Sequence, residues 1–229
     1  MEQKLLQLQP RLQLLADLIP VGSHLADIGT DHGYLPVWLR QHGKITTAIA
    51  SDVGEEPLQH ARRTAEEYQV DGIDFRLCDG LNGIEAQEAD TVVIAGMGGE
   101  TIIHILSDVS WTKDGCLLLL QPMTKPELLR VWLTENGYRI NCEHLVRDKD
   151  YLYPIFKVYG GQQQLTLAEE YGGVGLDCDP LYETYLEQRI GRLTHAIDGL
   201  KRGNREQNRA KIGRLEEICN ALKEKKGAL

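Results

Sequence analysis

Leu5, Leu8, Leu12, Leu15 and Ile19 recur at alternating three- and four-residue spacing, which places them on one face of an amphipathic helix. Pro20, Val21 and Gly22 close that run. Beyond it, short apolar runs alternate with longer stretches of helical period. The pattern predicts strands over residues 24–28, 46–51, 73–77, 91–95 and 116–120. It predicts helices starting near Tyr34, over 55–68, after Gly99 and over 126–135. Strands alternating with helices of this length imply a parallel sheet with right-handed crossovers. The apolar fourth and fifth strands fit burial on both faces. Two further strands, 138–145 and 152–159, have no helix between them, and the short link at 147–151 suits a hairpin. The expectation is an α/β domain over residues 1–160 whose mostly parallel sheet ends in an antiparallel pair.

Residues 160–180 are rich in Gly, Gln and acids and read as a linker. After it, Leu186, Ile190, Leu193, Ile197 and Leu200 form a heptad-like seam. Gly203-Asn204 interrupts it, and Ile212, Leu215, Cys219 and Leu222 form a second. Residues 161–229 therefore read as a linker followed by an antiparallel helical hairpin with coiled-coil packing.

Charge sharpens this division. The net formal charge is −9, yet residues 189–229 hold 11 Lys and Arg against 5 Asp and Glu. Arg189, Arg192, Lys201, Arg202, Arg205 and Arg209 make this segment a candidate arm for nucleic acid. A packing or dimerisation hairpin whose charges only solvate it fits the same pattern. No apolar run approaches the ~20 residues of a membrane span. The five cysteines (Cys78, Cys116, Cys142, Cys178, Cys219) and the histidines show no metal-ligand spacing. Scattered thiols of odd number suit a reducing, cytoplasmic setting without bound metal.

The densest chemistry follows the first strand, in Asp27-Ile28-Gly29-Thr30-Asp31-His32-Gly33. Glycines there let the backbone turn sharply and approach a ligand. The G-x-G-x-x-G fingerprint of dinucleotide sites is absent. The run fits instead the D-x-G-x-G-x-G loop that faces the amino-acid half of S-adenosylmethionine, with Asp31 at the middle glycine. Asp52, followed by Val53, ends the second strand, where a carboxylate accepts the hydroxyls of a ribose; this suits S-adenosylmethionine and NAD alike. Asp79-Gly80 follows the third strand, where a carboxylate can accept an adenine amine. Ala95-Gly96-Met97-Gly98-Gly99 ends the fourth. Its glycines suggest backbone pressed against a ligand, or a tight turn into the next helix. The Asn/Asp-Pro-Pro-aromatic run common in amino-group methyltransferases is absent, which argues against methylation of an exocyclic amine. His32 reads as a base or as a loop residue bonded to backbone, and Tyr34 as a stacking platform or a lid on the core. Trp38, Trp111 and Trp132 lie in apolar patterns and read as core.

Taken together, residues 25–36, the 95–99 run and Leu119-Leu120-Gln121-Pro122 resemble the TrmK family of bacterial tRNA adenine-N1 methyltransferases. The resemblance covers residues 5–160, and in architecture the hairpin beyond. It implies a Rossmann-like class I methyltransferase fold, S-adenosylmethionine as methyl donor, and an adenine at position 22 of the tRNA D-loop as acceptor. It implies that Asp27, Gly29, Thr30, Gly33, Asp52, Val53, Asp79, Gly80 and residues 95–99 line the cofactor. Asp31, His32 and Tyr34 would face the target base, and Arg11 would meet RNA backbone. Two positions depart from the family pattern: Met123 stands where Asn follows Gln-Pro, and Pro154 where Glu is usual. The acidic first domain is a third departure. A cofactor-binding module that grips RNA or a partner without chemistry, and a small-molecule methyltransferase, remain alternative readings.

Overall fold

The computed structural model describes residues 5–203 and 206–229. The elements run α1 (Pro10–Leu18), β1 (Ser23–Ile28), α2 (Tyr34–Gln41), β2 (Ile45–Asp52), α3 (Glu55–Glu67), β3 (Ile73–Leu77), β4 (Thr91–Gly98), α4 (Gly99–Ser107) and β5 (Leu117–Thr124). There follow α5 (Pro126–Glu135), β6 (Tyr138–Asp148), β7 (Tyr151–Gly160), α6 (Leu167–Gly172), α7 (Tyr182–Arg202) and α8 (Arg209–Gly227). The sheet has the order β3-β2-β1-β4-β5-β7-β6. The strands from β3 across to β5 pair in parallel, and β7 runs antiparallel to both its neighbours.

Helices cover both faces, and the strands show why. Leu25, Val93, Leu117 and Leu119 pack with Leu15 of α1 and Leu39 of α2. Their neighbours Ala26, Val92, Ile94, Leu118 and Leu120 point the other way, onto Ile102 of α4 and Leu129 of α5. Alternate side chains leave opposite faces, so a strand buried on both sides reads as a continuous apolar run.

Two sequence expectations change. Helix α1 starts at Pro10, not Leu5: Gln9 is extended because a proline disfavours helical backbone in the residue before it. Leu5 is exposed, and Leu6 is buried in its place. The segment expected to be a plain linker also contains α6. Thr166 and Glu169 cap it reciprocally in a capping box, and beyond it the Val174 carbonyl accepts from the Glu143 N–H of β6 while the Val174 N–H donates to the Glu143 carboxylate.

The hairpin of α7 and α8 packs on the edge strands through Leu145, Leu152, Tyr182, Leu186, Ile218 and Leu222. Beneath it lies an ion pair with both side chains fully buried, Arg130 of α5 to Glu143 of β6. The pair is bidentate, at 2.7 and 2.8 Å. Arg130 also donates to the Glu170 carbonyl of α6 and the Tyr185 hydroxyl of α7. Four elements thus meet at one guanidinium.

Removing one partner leaves an uncompensated buried charge. Arg130→Met is expected to lower unfolding free energy by roughly 3–5 kcal/mol, read by urea denaturation. An Arg130→Met/Glu143→Leu double variant should recover a large part of that loss. Equal losses in the single and double variants would show that the charge balance is not what matters.

Candidate active site

The strand order reverses between β1 and β4, and ligands of open α/β sheets bind at the carboxyl ends of strands where this happens. A cavity of about 370 Å³ lies there, walled by the β1 loop, Ala95 and Gly96 of β4, and Arg11 and Leu12 of α1.

The β1 loop winds through left-handed backbone at alternate residues. Gly29 has φ 71°, Asp31 48° and Gly33 66°. A side chain at Gly29 would run into the Met97 methyl group, and one at Gly33 into Ala61 of α3. Asp31 holds a conformation that costs a non-glycine residue on the order of 1 kcal/mol. The N–H groups of Gly29 and Thr30 both donate to the Ser51 carbonyl of β2, at 2.8 and 3.0 Å. They are turned into the sheet and do not form a phosphate cradle.

Asp27 is buried at the end of β1. Thr30 donates a 2.7 Å hydrogen bond to its carboxylate. Burial, aided by the nearby Asp52 charge and opposed by Thr30, pushes its pKa up to about 6. Asp52 is half-buried and accepts from the Gly54 N–H at 2.9 Å; beside it Val53 is 69% exposed. Asp79 is exposed. Three carboxylates therefore line successive strand ends, with an apolar surface open beside the second.

The 95–99 run divides. Gly96, with φ 78°, lines the cavity, and Met97 reaches back over Gly29. Gly98 is pressed against the Thr124 hydroxyl, and buried Gly99 against the backbone of Thr124 and Lys125. Gly80 likewise packs on Ile105 of α4. Those three glycines serve close packing.

At the mouth, His32 is the middle ring of a parallel stack, 5.2 Å from Tyr34 and 4.9 Å from His60. Its Nε2 lies 3.8 Å from the exposed Asp31 carboxylate. Potential ligand atoms of Asp31, His32 and His60 lie within 4.8 Å of one another. The two imidazoles are parallel to within 8°, so their in-plane lone pairs do not converge on one ion.

The expected RNA contacts also divide. Arg11 points inward: Nη1 donates to Gln121 at 2.9 Å, and Nε meets Asp148 at 3.4 Å. Arg189 pairs with Glu127 and donates to the Tyr171 carbonyl, and Lys201 pairs with Glu216. Arg192, Arg202 and Arg209 are exposed and form no ion pair among the described residues. Arg205 lies outside those residues.

Sequence reasoning gave no role to Gln121. Its Oε1 accepts from both Arg11 and the Gly96 N–H, while its Nε2 donates to the Pro122 carbonyl and Met123 sulfur. A lone polar side chain ending an apolar strand was the available signal. His60, on α3, gave none.

A seven-stranded sheet with one antiparallel strand, acids at its carboxyl edge and no phosphate cradle defines a Rossmann-like methyltransferase. The family described as "Methyltransferase domain" matches residues 8–156. The tRNA (adenine(22)-N(1))-methyltransferase of Bacillus subtilis (strain 168) is 31% identical, over 96% of this chain and 97% of that one. Two solved structures are similarly close. A Streptococcus pneumoniae protein in complex with S-adenosyl-L-methionine has TM-score 0.83 at 30% identity, covering 95% of this chain and 99% of that one. M. capricolum TrmK in complex with S-adenosyl-homocysteine has TM-score 0.81 at 28% identity, covering 96% and 98%. This chain belongs to the tRNA (adenine(22)-N(1))-methyltransferase family.

The Asp27 environment sets a pH signature. Its folded pKa of about 6 exceeds the ordinary 3.8, so ionisation opposes folding. The penalty is absent below pH 4, grows between pH 4 and 6, and reaches ~3 kcal/mol above that window. Asp27→Asn should therefore melt higher than the parent at pH 7.5, with the gap closing towards pH 4. A gap independent of pH would refute a buried, ionising Asp27.

Proposed function

We propose that this chain transfers the methyl group of S-adenosylmethionine to N1 of an adenine in the tRNA D-loop, at position 22. The observation that carries the reading is the β1 loop: its buried carboxylate suits a cation, and the N–H groups of Gly29 and Thr30 are spent on Ser51. That combination fits the ammonium-bearing half of S-adenosylmethionine better than a pyrophosphate. Asp27, Gly29, Thr30, Gly33 and Gly96 would hold the amino-acid end. Asp52 would accept the ribose hydroxyls, Val53 would cover the adenine face, and Asp79 would accept its amine. When bound, the donor supplies an electrophilic methyl group on a sulfonium.

This chain's own residues then have modest chemistry to perform. Neutral adenine carries a lone pair on N1, so no strong base is required. Asp31, exposed at the cavity mouth, would accept a hydrogen bond from the N6 amine and stabilise the positive charge that alkylation creates. His32 and Tyr34 offer stacked rings beside it. Arg11, held by Gln121 and Asp148, fixes the far wall. Most acceleration would come from holding the reacting atoms in line, on an adenine turned out of its stack.

In this reading residues 1–160 form the methyl-transfer unit, and residues 161–229 a helical unit that meets RNA. Arg192, Arg202 and Arg209 are among its available phosphate contacts. No helix among the described residues is long and apolar enough to cross a membrane, and the work of such an enzyme is cytoplasmic.

Asp31→Ala is expected to leave S-adenosylmethionine affinity within about twofold and to cut turnover on tRNA by roughly 10²–10⁴, with the product mapped by primer extension at the modified adenine. Undiminished turnover would make Asp31 a loop former only. For the parent protein, donor affinity should be level above pH 7 and weaken below pH 6 as Asp27 protonates. Titration calorimetry across pH 5–8 checks this, and Asp27→Asn should bind weakly throughout with a flat profile.

A further inference from the structure

A second cavity, of about 380 Å³, lies between the end of β5, the start of α5, the start of β7 and α7. Its size falls within the roughly 300–1,000 Å³ of small-ligand sites. We infer that it receives a nucleotide of the RNA other than the methylated one, its base stacked on Tyr151 and its phosphate met by Arg192. The inference rests on RNA being the substrate.

Three features carry it. Tyr151 is 55% exposed and Met123 39% exposed, so both present apolar surface to the cavity they line. Tyr151 and Tyr153 occupy one face of β7, their rings 6.1 Å apart and tilted by 40°. Such a corner accepts the flat face of any base, and base–aromatic stacking tolerates sequence.

The charges of the cavity favour an anion. Arg189 and Glu127, both in its wall, neutralise each other, and Lys125 is paired with Glu100. Arg192 remains, exposed and without an ion pair among the described residues. A stacking surface beside one available cation matches a base and its phosphate.

The two cavities are one side chain apart. Gln121 bonds at Oε1 to Arg11 and Gly96, which line the first. At Nε2 it bonds to Pro122 and Met123, which line the second. A strand delivering an adenine to the first therefore brings neighbouring nucleotides to the second.

The test uses the full-length protein and an unmodified tRNA transcript, with binding followed by fluorescence anisotropy and methyl transfer measured separately. Tyr151→Ala should weaken tRNA binding about tenfold, within the range for loss of one stacked base. Tyr151→Phe should bind within about twofold of the parent. Arg192→Ala should weaken binding and reduce the slope of log affinity against log salt by about one. S-adenosylmethionine affinity should stay unchanged in all three. Parental tRNA binding by Tyr151→Ala would overturn the proposal, as would a Tyr151→Phe as weak as the alanine variant. A parent protein that binds tRNA but never methylates it would sink the proposed function, while the Tyr151 variants would still decide this cavity. A parent protein that binds no tRNA would overturn both.

Discussion

The structure is organised by the reversal of strand order between β1 and β4. Crossovers from β1 lead towards β2 and β3, and the chain then returns to place β4 on the other side of β1. The connections at the carboxyl ends of β1 and β4 therefore depart in opposite directions, and the sheet edge between them stays open. Every proposed contact to the methyl donor lies on that edge or on the next two strand ends. The left-handed backbone at Gly29, Asp31 and Gly33 follows from the need to turn from β1 into α2 while keeping the loop close to the sheet.

A second constraint holds the helical unit against the catalytic one. Arg130 and Glu143 are both fully buried, which is costly unless every polar group finds a partner. Here the partners come from α5, β6, α6, α7 and the turn at Val174. Rotation of the hairpin away from the sheet would remove the Tyr185 hydroxyl, 3.5 Å from the guanidinium, and break the Arg189–Glu127 pair between α7 and α5. The contact to Tyr185, the Arg189–Glu127 pair and the packing of Tyr182 and Leu186 on the edge strands together hold α7 in place, and with it Arg192.

How much of this was legible in the sequence depends on the range of the interactions. Strand runs buried on both faces and the glycine loop were legible because their constraints are local: period, turn conformation and close approach. Asp27, Asp52 and Asp79 were legible because strand ends order them. The start of α1 was misplaced although Pro10 marked it, because helical spacing was weighted above the restriction on Gln9. Helix α6 was hidden by a Gly- and Gln-rich segment, although Thr166 and Glu169 carried the capping signature. Gln121, His60 and the states of Arg11, Arg189 and Lys201 were not legible: the partners that decide them lie 15 residues away or more. A basic residue looks the same in sequence whether its charge is free or already answered by Glu127 or Glu216.

That last distinction changes the meaning of the basic tail. Counting charges gives the whole segment from residue 189 onward to RNA, yet Arg189 ties α7 to α5, and Lys201 ties α7 to α8. Lys225 and Lys226 likewise meet Asp177, Glu183 and Glu187. These cations stabilise the hairpin and its seat on the sheet. Arg192 is one helical turn beyond Arg189, so the clamp that immobilises Arg189 also fixes where Arg192 projects. Met123 and Pro154, the two single-residue departures from the family pattern, line the same cavity as Arg192. The divergence therefore falls where RNA would be gripped beside the target, while the carboxylates and glycines proposed to hold the methyl donor keep the expected pattern. A chain that alters its RNA-facing cavity but keeps its donor-facing loop would hold its substrate differently while keeping the reaction.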